Sequence, residues 1–217
     1  MTVTILRGDA ATTLRDQAAG TFHTCVTSPP YWGLRSYLAE DDADKAHEIG
    51  LESTPEAYVA RLVDVFAEVH RVLRDDGTLW LNLGDSYAAG GRGGGGRFMA
   101  ERGDKSWAGK GATVGWRAPP PGLKPKDLVG IPWMVAFALR AAGWWLRCDS
   151  IWAKSNPQPE SVTDRPARSH EYVFLLSKSE SYFYDPFAVL EPVVADGRSG
   201  SAGVERRARA RGDVKIS

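Results

Sequence analysis

Cys25-Val26-Thr27-Ser28-Pro29-Pro30-Tyr31-Trp32 is the stretch on which the reading of this chain turns. An apolar run that meets two prolines must end as a strand there, because neither proline donates a ladder hydrogen bond. The residue before each proline is also pushed toward extended geometry. A strand is therefore expected over about residues 23–27, with Ser28 and Pro29 standing rigid at its C-terminal end. In open α/β sheets, ligands bind at that edge. Tyr31 and Trp32 offer flat apolar faces on which a planar heterocycle can stack. Its edge would then meet the Ser28 hydroxyl and the Pro29 carbonyl.

Upstream, residues 2–6 read as a short strand, and Asp9 is placed to cap a helix over about 10–19 that Gly20 closes. Downstream, 33–50 is polar and irregular, a loop able to close over a bound group. Within it Arg35 suits either a phosphate or plain solvent. Ser53-Thr54-Pro55-Glu56 carries two overlapping helix starts. Ser53 with Glu56 makes a capping box, and Thr54 with Pro55 fits the next register. The helix should run to about Leu73, burying Tyr58, Leu62, Val63, Phe66, Val69 and Leu73 on one face. Asp75-Asp76-Gly77 reads as a turn and residues 78–83 as a buried strand, after which Gly84-Asp85-Ser86 leaves its C-terminal edge. Asn82 and Asp85 can line a site there, although a turn is the simpler role for Asp85. Residues 127–142 form the next predicted helix, with Pro132 in its first turns. Strands over 144–153 and 170–177 follow, joined by a polar connection that carries Asn156, Gln158 and Arg165.

With 217 residues, one domain with a self-sufficient core is expected. Lys plus Arg and Asp plus Glu number 27 each, so any nucleic-acid contact must rest on local patches. One such patch is residues 88–122. This Gly-rich run sets Arg92, Arg97, Arg102, Lys105, Lys110 and Arg117 against only Glu101 and Asp104, interrupted by Phe98, Trp107 and Trp116. It cannot bury enough apolar surface to order itself. Basic residues interleaved with aromatics suit a phosphate backbone and unstacked bases, and a solvated flexible loop is the plain alternative. Cys25 and Cys148 make neither a disulfide framework nor a zinc site, and no metal is expected. No apolar run is long enough to span a bilayer and no signal-peptide pattern occurs, so the expected location is the cytoplasm.

Ser28-Pro29-Pro30-Tyr31 at a strand end resembles the catalytic motif of the amino-methylating DNA methyltransferases, and a Ser form followed by Trp32 is more typical of their N4-cytosine members. The resemblance covers about residues 3–192 and follows the motif order in which the catalytic half precedes the cofactor half. It implies an α/β fold, the Rossmann-like S-adenosylmethionine-dependent methyltransferase sheet, mainly parallel with one antiparallel strand. It also implies methyl transfer from S-adenosyl-L-methionine to N4 of cytosine, or N6 of adenine, in a base flipped out of double-stranded DNA. Ser28, Pro29, Pro30 and Tyr31 would then be catalytic, and Tyr31 and Trp32 would stack on the base. Asp9, Thr27 and Asp85 would lie beside the cofactor. Arg35, Arg92, Arg97, Arg102, Lys105, Arg117 and Arg165 would face DNA, with His170 a weaker candidate in the base-facing connection. A cognate restriction enzyme is an implied partner.

The resemblance breaks at one place. In this motif order a Gly-rich turn of the type Asp-Pro-Phe-x-Gly-x-Gly cradles the cofactor. Asp185-Pro186-Phe187-Ala188 begins that way, but Val189-Leu190-Glu191 lacks both glycines. Side chains there obstruct the close backbone approach that the cofactor needs. Residues 90–96 are Gly-rich but lack the preceding strand. The tail over 193–217 is rich in Gly and Arg and reads as disordered or truncated. The sheet is therefore expected to be incomplete, the Gly-rich motif coming from a second chain or a missing C-terminal half. The alternatives are an inactive DNA-binding fragment and a protein glutamine methyltransferase with a related Pro-Pro-Tyr motif. C5-cytosine chemistry is excluded, because it needs a cysteine nucleophile after a proline and neither Cys25 nor Cys148 follows one.

Overall fold

A computed structural model of the chain describes residues 3–34, 36–39, 41–88, 119–157, 160 and 162–189. The strands β1 (Phe22–Thr27), β2 (Leu73–Leu83), β3 (Trp145–Ala153) and β4 (His170–Ser177) form one sheet in the order β1-β2-β4-β3. β1 and β2 pair in parallel, and β4 lies antiparallel to both β2 and β3. Three strands therefore share a direction and β4 opposes them, as the resemblance implies. The helices are α1 (Ala10–Arg15), α2 (Pro55–Val72) and α3 (Ile131–Ala141), with a 3₁₀ turn over Lys45–His47.

Of the two helix starts at 53–56, Thr54 prevails. It is the N-cap of α2, its hydroxyl accepts from the Ala57 N–H at 3.2 Å, and Pro55 opens the first turn. Pro55 needs no N–H there, since the first turn has no intrahelical acceptor for it. α2 buries Tyr58, Leu62, Phe66 and Val69 as expected, with Val59 and Val72 added to that face. α3 contributes Val135, Ala136 and Leu139, and both helices cover one face of the sheet, where Leu79, Leu81, Leu83, Phe174 and Leu176 are buried. β2 alternates accordingly: Trp80 and Asn82 point away from that core and are only half-buried.

Four sequence expectations are corrected. Residues 3–7 form no strand, and Val3, Ile5 and Leu6 are exposed; among the described residues they have no neighbouring strand to supply ladder hydrogen bonds. α1 stops at Arg15 rather than running to 19, because the Arg71 guanidinium takes the Leu14 carbonyl at 2.7 Å and the Gln17 carbonyl at 2.9 Å and turns the chain into β1. The turn at 75–77 is absorbed into β2 as an irregularity: the register moves from Phe22↔Leu73 to Thr24↔Thr78. A Cβ on Gly77 would come within 2.8 Å of the Arg74 carbonyl oxygen, so only glycine fits that bulge. Finally, α3 begins at Ile131 and not at Asp127, because Gly130 adopts the left-handed conformation at φ 85° and serves as its N-cap. Among the described residues no helix is long and apolar enough to cross a membrane.

Candidate active site

The parallel β1–β2 pair delivers both strand ends to one edge of the sheet. At that edge Ser28, Pro29, Pro30 and Tyr31 leave β1, Asn82 lies at the end of β2, and Gly84 and Asp85 follow it. Because β4 runs the other way, its first residues arrive at the same edge, with Tyr172 opposite Leu83. Ser28, Pro29, Pro30, Tyr31, Leu34, Tyr37 and Glu171 line an open cavity of about 590 Å³. That volume lies in the ordinary range for small-molecule pockets and admits a nucleobase.

A polar network organises the cavity wall. The Tyr31 phenol lies 2.8 Å from Asn82 Oδ1 and 3.1 Å from Glu171 Oε2. The Ser28 hydroxyl lies 3.2 Å from Asn82 Oδ1 and 3.2 Å from the phenol oxygen. Asn82 Nδ2 donates to the Tyr172 carbonyl at 3.1 Å, and Lys154 donates to the Glu171 carboxylate. Burial pushes the Tyr31 phenol above its ordinary pKa, and the Glu171 charge pushes the same way against the Ser28 hydrogen bond. Tyr31 therefore stays protonated at neutral pH. Burial disfavours the Glu171 carboxylate, but hydrogen bonds from Lys154, Tyr31 and Asn82 outweigh it and hold the group below its ordinary value.

The motif backbone is held from behind. Tyr58, on α2, donates its hydroxyl to the Pro30 carbonyl at 2.9 Å. Its own pKa is pushed well up by burial, so the donor is permanent. Among the described residues, no donor meets the Pro29 carbonyl. Gly84 is a contact that only glycine allows: a Cβ there would lie 2.5 Å from the Tyr31 ring.

The structure thus gathers Ser28, Pro29, Pro30, Tyr31 and Asn82 and separates several other expected residues. Trp32 is corrected from a stacking platform to a core residue; it is 1% exposed and donates its indole N–H to the Glu52 carbonyl at 2.9 Å. Asp9 caps α1, taking the Thr12 N–H and hydroxyl at 2.9 Å each. Asp85 takes the N–H groups of Gly130 and Ile131 at 2.9 Å each and so closes the N-terminus of α3, with its side chain 3% exposed. Thr27 ends β1 half-buried, opposite Leu81. Arg165 stacks on Tyr87 at 3.8 Å and pairs with Glu160 at 2.6 Å, an internal engagement rather than a free basic surface. His170 opens β4 edge-on to Tyr172, and Asn156 is exposed. Arg35, Arg92, Arg97, Arg102, Lys105, Arg117 and Gln158 lie outside the described residues. Glu171, Lys154, Tyr37 and Tyr58 are the members that sequence reading passed over. The expected antiparallel strand held the clue to Glu171, since its first residues must return to the edge where the motif sits.

These features define an α/β protein whose strand-end Ser-Pro-Pro-Tyr faces a base-sized cavity. The family model described as DNA methylase, of the N6/N4 type, matches residues 22–202, and the chain belongs to that family. It is 53% identical over 194 residues to Type II methyltransferase M.XycI of Xanthomonas campestris pv. cyanopsidis, covering 89% of this chain and 60% of that protein. It is 50% identical over 189 residues to Type II methyltransferase M.SmaI of Serratia marcescens, covering 87% of this chain and 60% of that protein. Type II methyltransferase M.Cfr9I of Citrobacter freundii is 50% identical over 188 residues, with 87% and 58% covered. The chain thus spans only about 60% of the length of these relatives. S-adenosyl-L-methionine is the cofactor of the family. Of the residues expected beside it, Asp9 and Asp85 cap helices and Thr27 ends β1 at the sheet edge.

Proposed function

We propose that this chain is the catalytic portion of a site-specific DNA methyltransferase acting on the exocyclic amine of a flipped base, with N4 of cytosine preferred over N6 of adenine. The observation that carries the proposal is the placement of Ser28 and Pro29 on an open cavity at the strand edge, with the Pro29 carbonyl unengaged among the described residues. The preference for cytosine rests on the Ser form of the motif followed by Trp32. The relatives are named Type II methyltransferases, which supports a restriction-modification setting with a cognate endonuclease as partner. Free Cys25 and Cys148 accord with a cytoplasmic enzyme.

The target amine is a poor nucleophile because its lone pair is delocalised into the ring. Acceptance of its N–H bonds by Ser28 Oγ and the Pro29 carbonyl favours a pyramidal nitrogen and frees that lone pair. Tyr31 lines the same cavity and offers the base a ring to stack on. S-adenosyl-L-methionine supplies the electrophilic methyl group. Its Gly-rich cradle would come from a C-terminal portion like the remaining length of the relatives, or from a second chain. β1 supports such a division: among the described residues it is an edge strand, Val26 is 75% exposed, and Val3, Ile5 and Leu6 are exposed upstream of it. Exposed apolar surface of this kind usually marks an interface. Duplex DNA would be met by the basic run over 88–122; Tyr87 and Leu128, which flank it in sequence, are joined by a bridge.

The test is methyl transfer to duplex DNA, assayed on the chain alone and with the unmatched part of M.XycI supplied, followed by nucleoside analysis. N4-methylcytosine in the product is the expected result. N6-methyladenine would overturn the base preference, and absence of transfer under both conditions would overturn the enzyme reading.

A further inference from the structure

Resting on that reading, the inference concerns the direction of one hydroxyl. A serine hydroxyl carries one proton and two lone pairs. For Ser28 Oγ to accept from the target amine, its own proton must point elsewhere. Left unguided, the proton would turn into the cavity and oppose the amine N–H. We infer that Asn82 is a positioning residue that takes the Ser28 proton and holds Oγ as a pure acceptor toward the base.

Three observations carry this. Asn82 Oδ1 is 3.2 Å from Ser28 Oγ. The other acceptor within reach, the Tyr31 phenol oxygen at 3.2 Å, gives its own proton to the same Oδ1 at 2.8 Å, so Asn82 also fixes the direction in which that oxygen faces Ser28. The amide cannot face the other way, because its second atom meets the Tyr172 carbonyl at 3.1 Å and a carbonyl only accepts. A reversed amide would present its NH₂ to Ser28 and compete with the substrate for the lone pairs. The rotor is thus locked by β4, through a backbone group that no side-chain change alters. Ser28 itself is exposed, and among the described residues only Asn82 Oδ1 and the Tyr31 phenol oxygen lie within reach of its hydroxyl.

The test is a double-mutant cycle in the methyl-transfer assay described above. Asn82→Ala is expected to lower kcat by about one to two powers of ten while leaving KM for S-adenosylmethionine unchanged. In a Ser28→Ala background the same substitution should cost nothing further, because the group it acts through is gone. Additive losses would overturn the inference and leave the catalytic role of Ser28 intact. A fully active Ser28→Ala would instead sink the site reading itself. A second measurement needs no activity. Asn82 and Asn156 are the two asparagines of the sequence, so selective ¹⁵N-asparagine labelling leaves only two side-chain amide pairs, free of those of Gln17 and Gln158. Ser28→Ala should move the Asn82 pair and leave the Asn156 pair in place. An unmoved Asn82 pair would overturn the contact.

Discussion

Ser28 and Tyr31 stand together on the cavity wall, and they do different work. Ser28 contributes a single acceptor to the reacting amine, so Ser28→Ala should lower the methylation rate by roughly 10²–10³, the usual loss for one such contact. Tyr31→Ala removes a stacking face instead. It should weaken capture of the base by about 1–3 kcal/mol, read as DNA affinity with a target-containing duplex. Gly84 lies beneath both effects. Gly84→Ala would set a Cβ 2.5 Å from the Tyr31 ring, so the ring must swing away. Methylation should fall while the melting temperature moves much less, since Gly84 ends a strand at the sheet edge. Glu171 gives the site a pH dependence. Its carboxyl sits below the ordinary value of 4.5, so its contribution to stability is complete above that pH. The contribution is lost as pH falls through the lower folded value. Melting temperatures from neutral to about pH 3 should therefore show a steeper acid decline for the wild type than for Glu171→Gln.

At the scale of elements, the motif is a graft between β1 and α2. Trp32 anchors it in the core and Tyr58 holds the Pro30 carbonyl. Trp32→Ala should cost about 3–5 kcal/mol in denaturant unfolding, because it empties a buried site. Tyr58→Phe should cost only about 1 kcal/mol, the net worth of one hydrogen bond, yet slow methylation by loosening the proline backbone. α3 depends on an acid outside itself, since Asp85 closes its first turn from the end of β2. The same carboxylate therefore locks the strand that carries Asn82 to the helix that packs behind the sheet.

At the scale of the molecule, among the described residues, the sheet is covered on the α2–α3 face and exposed along both edge strands, β1 and β3. An edge strand with exposed Val26 and Phe22 is a template for further pairing. If the C-terminal part of a relative docks there, amide hydrogen exchange over Phe22–Thr27 should slow when that part is added. Unchanged exchange in this strand would argue that the cofactor half joins elsewhere.

Much of this protein was legible in its residues. Two prolines end a strand whatever surrounds them, so the motif and its place at a sheet edge follow from local chemistry. The amphipathic face of α2 follows from periodicity in the same way, and β4 spans the residues expected of it. The family match over residues 22–202 agrees with the resemblance those residues carry. Other features depended on neighbours far apart in sequence, which no local pattern encodes. Trp32 reads as a stacking face until the Glu52 carbonyl and the core claim it. Asp85 looks like a turn residue or a ligand until Gly130 turns α3 toward it. The stretch over 2–6 reads as a strand by composition, but a strand exists only where a partner completes its ladder. Tertiary structure alone brought Glu171 and Lys154 to the motif, because the antiparallel return of β4 carries Glu171 to the Tyr31 phenol 140 positions away and β3 sets Lys154 beside it.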